Sequence, residues 1–232
     1  MELGGNAPFI IFDDADIAEA IKGVMISKYR NAGQTCVCTN RILVQNSVYD
    51  EFLSKFKAEC ENLVVGNGLG EETTIGPLIN RKAAADVKDL IEDAKSKGAI
   101  SELGENNNAY GDCYVEPTIL SNINTSMRVF REEIFGPVAP IIKFESEDEA
   151  VELANKTEFG LAAYFYSRDI GRIYRVSEAL EFGIVGVNEG IISNEMAPFG
   201  GIKESGNGRE GSKYGLDVFL EIKFLCICGI DQ

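Results

Sequence analysis

Val138-Ala139-Pro140-Ile141-Ile142-Lys143-Phe144, then Glu147 to Lys156, Leu161-Ala162-Ala163-Tyr164-Phe165-Tyr166, Ile170 to Glu181 and Ile184-Val185-Gly186-Val187, is the stretch that decides the fold. Its short apolar runs read as strands and the longer, more polar segments between them as helices. Strand and helix in clean alternation indicate a parallel sheet covered by helices on both faces, a three-layer α/β architecture. In open sheets of this kind catalytic groups collect beyond the carboxyl ends of the strands. The loop from Asn188 to Ser205 is expected to lie there.

Working outward, Asp13-Asp14 precede a predicted helix to about Tyr29, with Ile17, Ile21, Val24 and Met25 at helical spacing. A strand over Arg41–Gln45 follows, then a helix opened by Ser47 with Asp50 three residues on, a start like a capping box. Its apolar stripe is Val48, Phe52, Phe56 and Cys60. Gly66-Asn67-Gly68-Leu69-Gly70 lacks the strand-before, helix-after setting of a dinucleotide fingerprint and reads as a loop. A helix after Asn80 carries Val87, Leu90, Ile91 and Ala94 on one face and ends near Gly98. Gly104 to Asp112 reads as a polar, hairpin-like excursion, and Tyr114 to Leu120 as a strand. The final run, Phe219 to Ile227, is apolar except at Glu221 and Lys223 and reads as a terminal strand, a sticky edge unless something pairs with it.

At 232 residues and 45% hydrophobic content, the chain can bury a large core. Its net charge of −15 argues against nucleic acid and anionic membranes as partners. No apolar run approaches the roughly 20 residues that span a bilayer. Six cysteines without a signal peptide or a dense disulfide framework fit a reducing compartment. With no histidine and no CxxC pair, no metal site is expected.

The chemical signal is strongest in Arg30-Asn31-Ala32-Gly33-Gln34-Thr35-Cys36-Val37-Cys38, which sets two thiols in a short polar loop between a predicted helix and a predicted strand. Without histidine, a Cys-His or Ser-His-Asp arrangement is excluded. The proton acceptor must be a carboxylate, a lysine or water. Glu2, in Met1-Glu2-Leu3-Gly4-Gly5-Asn6-Ala7-Pro8, is the candidate, because paired glycines let another group approach the backbone closely.

Together these segments resemble the aldehyde dehydrogenase superfamily. Glu2-Leu3-Gly4-Gly5 looks like its general-base motif and Gly33-Gln34-Thr35-Cys36 like its nucleophile motif. Glu132-Glu133-Ile134-Phe135-Gly136-Pro137-Val138 matches a third signature. The fourth is Pro198-Phe199-Gly200-Gly201-Ile202-Lys203 with Ser205-Gly206-Asn207-Gly208-Arg209-Glu210. Within the superfamily the details look most like the succinate semialdehyde dehydrogenases: Arg30 six residues before the nucleophile, the Cys-Val-Cys pair, and Gly190-Ile191-Ile192-Ser193-Asn194.

The resemblance implies that Cys36 attacks the aldehyde to give a thiohemiacetal and then a thioester, which water activated by Glu2 hydrolyses. It implies that Glu133 holds the nicotinamide ribose of NAD or NADP and that Phe135 flanks the ring. Arg30 and Ser193 would bind the distal carboxylate of a short semialdehyde, and a guanidinium offers the forked donors such a group needs. By position alone, Arg30 reads as a helix-end arginine facing C-terminal carbonyls. One arginine and one serine do not fix chain length, so glutarate semialdehyde stays open as the substrate. A non-catalytic interaction module keeping the fold is the alternative from another class.

Cys36 and Cys38 would point to the same side if their segment is extended. Oxidation is then expected to link them, as the resemblance to a family with redox-switched members also implies; the alternative is that Cys38 packs inward. The resemblance divides the chain into a catalytic domain, residues 1–215, and an oligomerisation strand, residues 216–232, that adds to a neighbouring subunit's sheet in a homo-dimer or tetramer. It begins at the general-base motif, so the nicotinamide-binding half of a typical member is expected to be absent, and the chain alone to bind cofactor weakly or not at all. It further implies a role in GABA degradation, in the cytoplasm or alternatively the mitochondrial matrix.

Overall fold

A computed structural model of the chain describes residues 1–104 and 110–230. In chain order the elements are β1 (Ala7–Ile11), α1 (Ile17–Tyr29), β2 (Thr39–Gln45), α2 (Tyr49–Cys60), α3 (Arg81–Ser96), β3 (Ile100–Leu103) and β4 (Thr118–Ser121). They continue with α4 (Arg128–Arg131), β5 (Val138–Phe144), α5 (Glu147–Asn155), β6 (Phe159–Gly160), β7 (Ala162–Tyr166), α6 (Ile170–Ala179), β8 (Ile184–Val187) and β9 (Ile202–Lys203). The main sheet runs β3-β4-β5-β2-β1-β7-β8, and every pairing in it is parallel except β3 with β4. The α/β expectation therefore holds, with an antiparallel strand added at one edge.

Strands β1 and β2 lie at the centre and are buried almost end to end. Phe9, Ile10, Ile11, Ile42, Leu43 and Val44 have no exposed surface. Burial on both sides of a strand requires cover on both faces, and each such side chain contributes about 1.5–3 kcal/mol. Helices α1 and α2 pack together, while α5 packs on β1 and α6. Asp16, Asn80, Ser146 and Asp169 cap α1, α3, α5 and α6 by accepting from backbone N–H groups of the first turn.

Sequence reasoning assigned no element to β1, beside the middle strand of the sheet. Its Pro8 argues against a central strand because it cannot donate to a ladder. The chain accommodates it at a bulge: Ala7 pairs with Thr39 and Pro8 with Arg41, and pairing with β7 starts only at Phe9. Edge strand β3 was also unassigned, and β4 starts later than expected, at Thr118. Ser47 does not open α2, since it lies in a 3-10 turn over Asn46–Val48 and caps nothing. The polar excursion from Gly104 to Asp112 includes residues 105–109, which lie outside the described residues.

The terminal strand is absent in the single chain. A 3-10 segment, Lys213–Phe219, crosses the expected boundary at 215/216, and no strand forms beyond it among the described residues. Ile222, Phe224, Leu225 and Ile227 all stand in solvent. A strand exists only with a partner edge, and this segment has none of its own.

Candidate active site

Helix α1 carries the chain back along β1 and releases it into the thiol loop at the amino end of β2. Asn31, Ala32 and Gly33 all adopt positive φ, at 54°, 55° and 78°. Gly33 is required there twice over, because a Cβ would also fall 2.3 Å from the Gly136 carbonyl oxygen. That contact brings the nucleophile loop against the Glu132–Val138 segment. Gln34 fixes the loop from the other side, its Oε1 accepting from the Ile79 N–H at 2.9 Å.

Cys36 is half-buried at the turn that follows. Its carbonyl lies against Gly5, where a Cβ would sit 2.4 Å from the oxygen. The Gly5 N–H donates to Glu133 Oε1 at 2.8 Å, and a Cβ on Gly4 would fall 2.7 Å from Glu133 Oε2. The paired glycines thus admit the nucleophile loop and the Glu133 carboxylate to one place. Glu2 enters by a bridge to Gly206, with Leu3 N–H donating to the Ser205 carbonyl at 3.0 Å. The Ser205 hydroxyl donates to the Gly4 carbonyl at 2.7 Å and accepts from Gly160 N–H at 3.0 Å. Cys36, Glu2 and Glu133 are therefore brought together.

Their charges act on one another. Burial pushes the Cys36 thiol up, and the neighbouring Glu2 and Glu133 carboxylates push it further; the N–H groups of Cys36 and Val37 oppose the rise. Glu2 is held above the usual carboxylate range by partial desolvation and by Glu210. Desolvation likewise raises Glu133, against the bond from Gly5. The Glu2 charge therefore opposes ionisation of Cys36, while the carboxylate itself can accept a proton from a water held beside it.

The site departs from one expectation. Cys36, Glu2 and Glu133 precede β2, β1 and β5, so they gather at the amino ends of the parallel strands, not beyond the carboxyl ends. The physical reason is connectivity: a loop that joins a helix to the next strand necessarily lies at that strand's amino end. The Asn188–Ser205 loop starts at the carboxyl end of β8 but runs back along the sheet. Asn188 N–H bonds the Phe165 carbonyl, Gly190 packs on Gly23 in α1, and Gly200 reaches Gly183 before β8.

Ser193 lies on this returning loop, exposed. Arg30 is exposed at the end of α1, makes no hydrogen bond or ion pair among the described residues, and extends its charge to Tyr164 and Cys38. No hydrogen bond joins Arg30 to Ser193. Phe135 is 42% exposed at a φ of 51°. Cys38 follows a turn instead of an extended segment, its N–H bonding the Thr35 carbonyl at 3.0 Å. Its sulfur faces inward, 3.4 Å from both the Lys28 and Thr39 carbonyl oxygens. This is the inward packing stated as the alternative.

Sequence reasoning missed the residues that hold the three segments in register. Asn6 donates to the carbonyls of Phe130 and Arg131, and Asn40 donates to Asn6 Oδ1 and the Glu132 carbonyl while accepting from Ile134 N–H. Arg41, fully buried, donates to Asn6 Oδ1, the Asn6 carbonyl and the Leu153 and Ala154 carbonyls. Burial pushes its pKa down to about 9. Tyr164 donates to the Val37 carbonyl at 2.7 Å, bracing the turn that holds Cys36. Asn6 stood within a quoted motif; Tyr164 gave no local signal at all. Among the described residues no group of three or more His, Cys, Asp or Glu is placed to hold a metal ion, and no helix is long and apolar enough to cross a membrane.

The chain belongs to the aldehyde dehydrogenase family, whose profile matches residues 1–225. Over 230 residues it is 57% identical to a succinate semialdehyde dehydrogenase of Acinetobacter baylyi, covering 99% of this chain and 48% of that protein. Over 231 residues it is 59% identical to a glutarate-semialdehyde dehydrogenase of Pseudomonas putida, covering 98% and 47%. The crystal structure of succinate-semialdehyde dehydrogenase from Burkholderia pseudomallei matches with a TM-score of 0.95 at 57% identity, over 98% of this chain and 47% of that one. The chain thus spans about half the length of the relatives it matches.

Proposed function

We propose that this chain is the catalytic portion of a nicotinamide-dependent aldehyde dehydrogenase that oxidises succinate semialdehyde to succinate. The observation that carries the proposal is the placement of the half-buried Cys36 thiol beside the Glu2 carboxylate, with Glu133 and the exposed Phe135 on the adjoining segment. The Cys36 thiolate attacks the aldehyde carbon, forming a thiohemiacetal. The backbone N–H of Cys36 is a donor toward the oxyanion that develops. The thioester on Cys36 is then hydrolysed by a water from which Glu2 removes the proton.

The residues fit the nicotinamide end of the cofactor. Glu133 has one carboxylate oxygen pinned by Gly5 N–H, which fixes the group to accept from a ribose hydroxyl, and Phe135 presents a solvent-facing ring beside it. When bound, the nicotinamide supplies the hydride acceptor that the protein lacks. Arg30, unpaired among the described residues in a chain of net charge −15, is suited to an anionic substrate tail, with Ser193 as a neutral second donor. The glutarate-semialdehyde relative supports a second reading, in which the tail is one carbon longer.

The test compares turnover of the four- and five-carbon semialdehydes by the full-length protein, alongside Cys36→Ser and Arg30→Lys. The expected result is higher kcat/KM for the four-carbon substrate, no turnover by Cys36→Ser, and a raised KM with kcat kept for Arg30→Lys. Turnover surviving in Cys36→Ser refutes the mechanism; preference for the five-carbon substrate selects the second reading.

A further inference from the structure

Tyr164 sits in β7 opposite Phe9 of β1 on one side and Gly186 of β8 on the other. Its ring stacks on Phe9 with centroids 5.7 Å apart, and Gly186 leaves it room, since a Cβ there would fall 3.1 Å from Tyr164 Cδ1. The residue is 1% exposed, and burial holds its phenol proton far more tightly than usual, so the hydroxyl is a donor throughout the working pH range. A buried tyrosine hydroxyl needs a partner. This one reaches past β1 to the Val37 carbonyl at 2.7 Å, in the turn that follows the nucleophile.

That carbonyl belongs to the Val37–Cys38 peptide unit, whose N–H donates to the Thr35 carbonyl at 3.0 Å. The unit is therefore held at both ends. The preceding unit carries the Cys36 carbonyl, packed on Gly5, and the Val37 N–H, which together with the Cys36 N–H favours the thiolate. Only the φ and ψ angles of Val37 separate the two planar units. Beyond them the buried Lys28 donates to the Thr39 carbonyl at 2.8 Å and fixes the entry to β2.

We propose that Tyr164 is a positioning residue for the nucleophile, its hydroxyl holding the Val37–Cys38 peptide so that the Val37 N–H stays directed at the Cys36 sulfur. The inference rests on the reading of Cys36 as the nucleophile. Burial, Glu2 and Glu133 all oppose the thiolate, and the two N–H groups are the counterweight. Without the hydroxyl the turn keeps only its own bond from Cys38 to Thr35, and rotation about the Val37 torsions swings the N–H away. Arg30, Cys36 and Cys38 all lie near enough for their charges to act on the Tyr164 hydroxyl. It stands in the middle of the site yet is buried, so it acts through the backbone and not by touching substrate.

The test compares the full-length parent with Tyr164→Phe and Tyr166→Phe. Both variants keep a ring in β7 and lose one phenolic oxygen, but the Tyr166 hydroxyl lies against Gly23 of α1. Cys36 alkylation is followed across a pH series in the tryptic peptide Asn31–Arg41, with fragment ions separating it from Cys38. For Tyr164→Phe the midpoint is expected to rise by about 0.5–1 pH unit, which is about a three- to tenfold smaller thiolate fraction at neutral pH. The acid limb of kcat/KM for succinate semialdehyde is expected to move by the same amount, with kcat/KM recovering to within about twofold of the parent above it. Tyr166→Phe is expected to leave both curves in place. Cys60, buried against Tyr29, reports the fold in the same digest and is expected to stay protected in both variants. An unmoved midpoint in Tyr164→Phe overturns the proposal, as does an equal shift in Tyr166→Phe or exposure of Cys60 in Tyr164→Phe. Alkylation needs no substrate, so a raised midpoint in a protein that turns over neither semialdehyde upholds the positioning and strikes only the assigned activity.

Discussion

The Cys36 thiol stands between opposing influences. Burial and the Glu2 and Glu133 carboxylates hold the proton on, while two backbone N–H groups favour the thiolate. Replacing Glu2 by Gln removes one of the raising charges, so the folded-state pKa of Cys36 falls and its thiolate fraction at pH 7 rises. Glu2→Gln is therefore expected to alkylate faster at Cys36 than the parent chain, with the midpoint of the rate-against-pH curve moved to lower pH; an unmoved or higher midpoint contradicts the contact. In the full-length protein the same change removes the base for thioester hydrolysis, and kcat is expected to fall by about 10²–10⁴-fold. Arg41 gives the matching prediction for stability. Its guanidinium satisfies carbonyls of Asn6, Leu153 and Ala154 in a site that excludes water. Arg41→Met leaves them without donors, and a loss of at least about 1–3 kcal/mol is expected, the cost of one buried acceptor left unsatisfied. Arg41→Lys is expected to lose most of that too, since an ammonium cannot span the fork. A urea midpoint that falls at constant slope is the measurement.

Elements in this chain are held at their ends by side chains that the sequence only partly advertises. Asn80 accepts from the Ala83 N–H at 2.9 Å and so caps α3. Asn80→Ala is expected to cost about 1 kcal/mol. Ser47 shows the capping pattern without the bond, and Ser47→Ala is expected to stay within about 0.5 kcal/mol of the parent. Thermal or urea midpoints of the two variants separate a real cap from a sequence pattern. The same contrast explains what was legible. Periodicity showed α1, α3, α5, α6 and the strands between them, because each buries a regular stripe. β1 was hidden because Pro8 reads as a strand breaker until the bulge opposite Thr39 and Arg41 is seen. At the site, Cys36, Glu2 and Glu133 stood in motifs, yet Tyr164 joins it from 127 residues away in sequence, and Asn40, close to Cys36, acts on Ile134, 94 residues on, so no local pattern points to either. The amino-end location is legible in principle: Arg30 to Cys38 reads as a helix-to-strand loop, and only the general rule about carboxyl ends points elsewhere.

Across the whole molecule, the exposed run from Leu220 to Ile227 is the feature a single chain cannot satisfy. Leu220, Ile222, Phe224 and Leu225 are 66–102% exposed, far more apolar surface than a solitary segment keeps in water without a partner. If this arm adds as a strand to another subunit, its apolar side chains are what the assembly buries, and replacing them with charges removes that gain. Sedimentation of the full-length protein is expected to give a dimer or tetramer, and Ile222→Asp/Phe224→Asp is expected to shift it toward monomer. A parent protein that sediments as a monomer, or a variant that assembles as the parent does, refutes the arm as an oligomerisation strand.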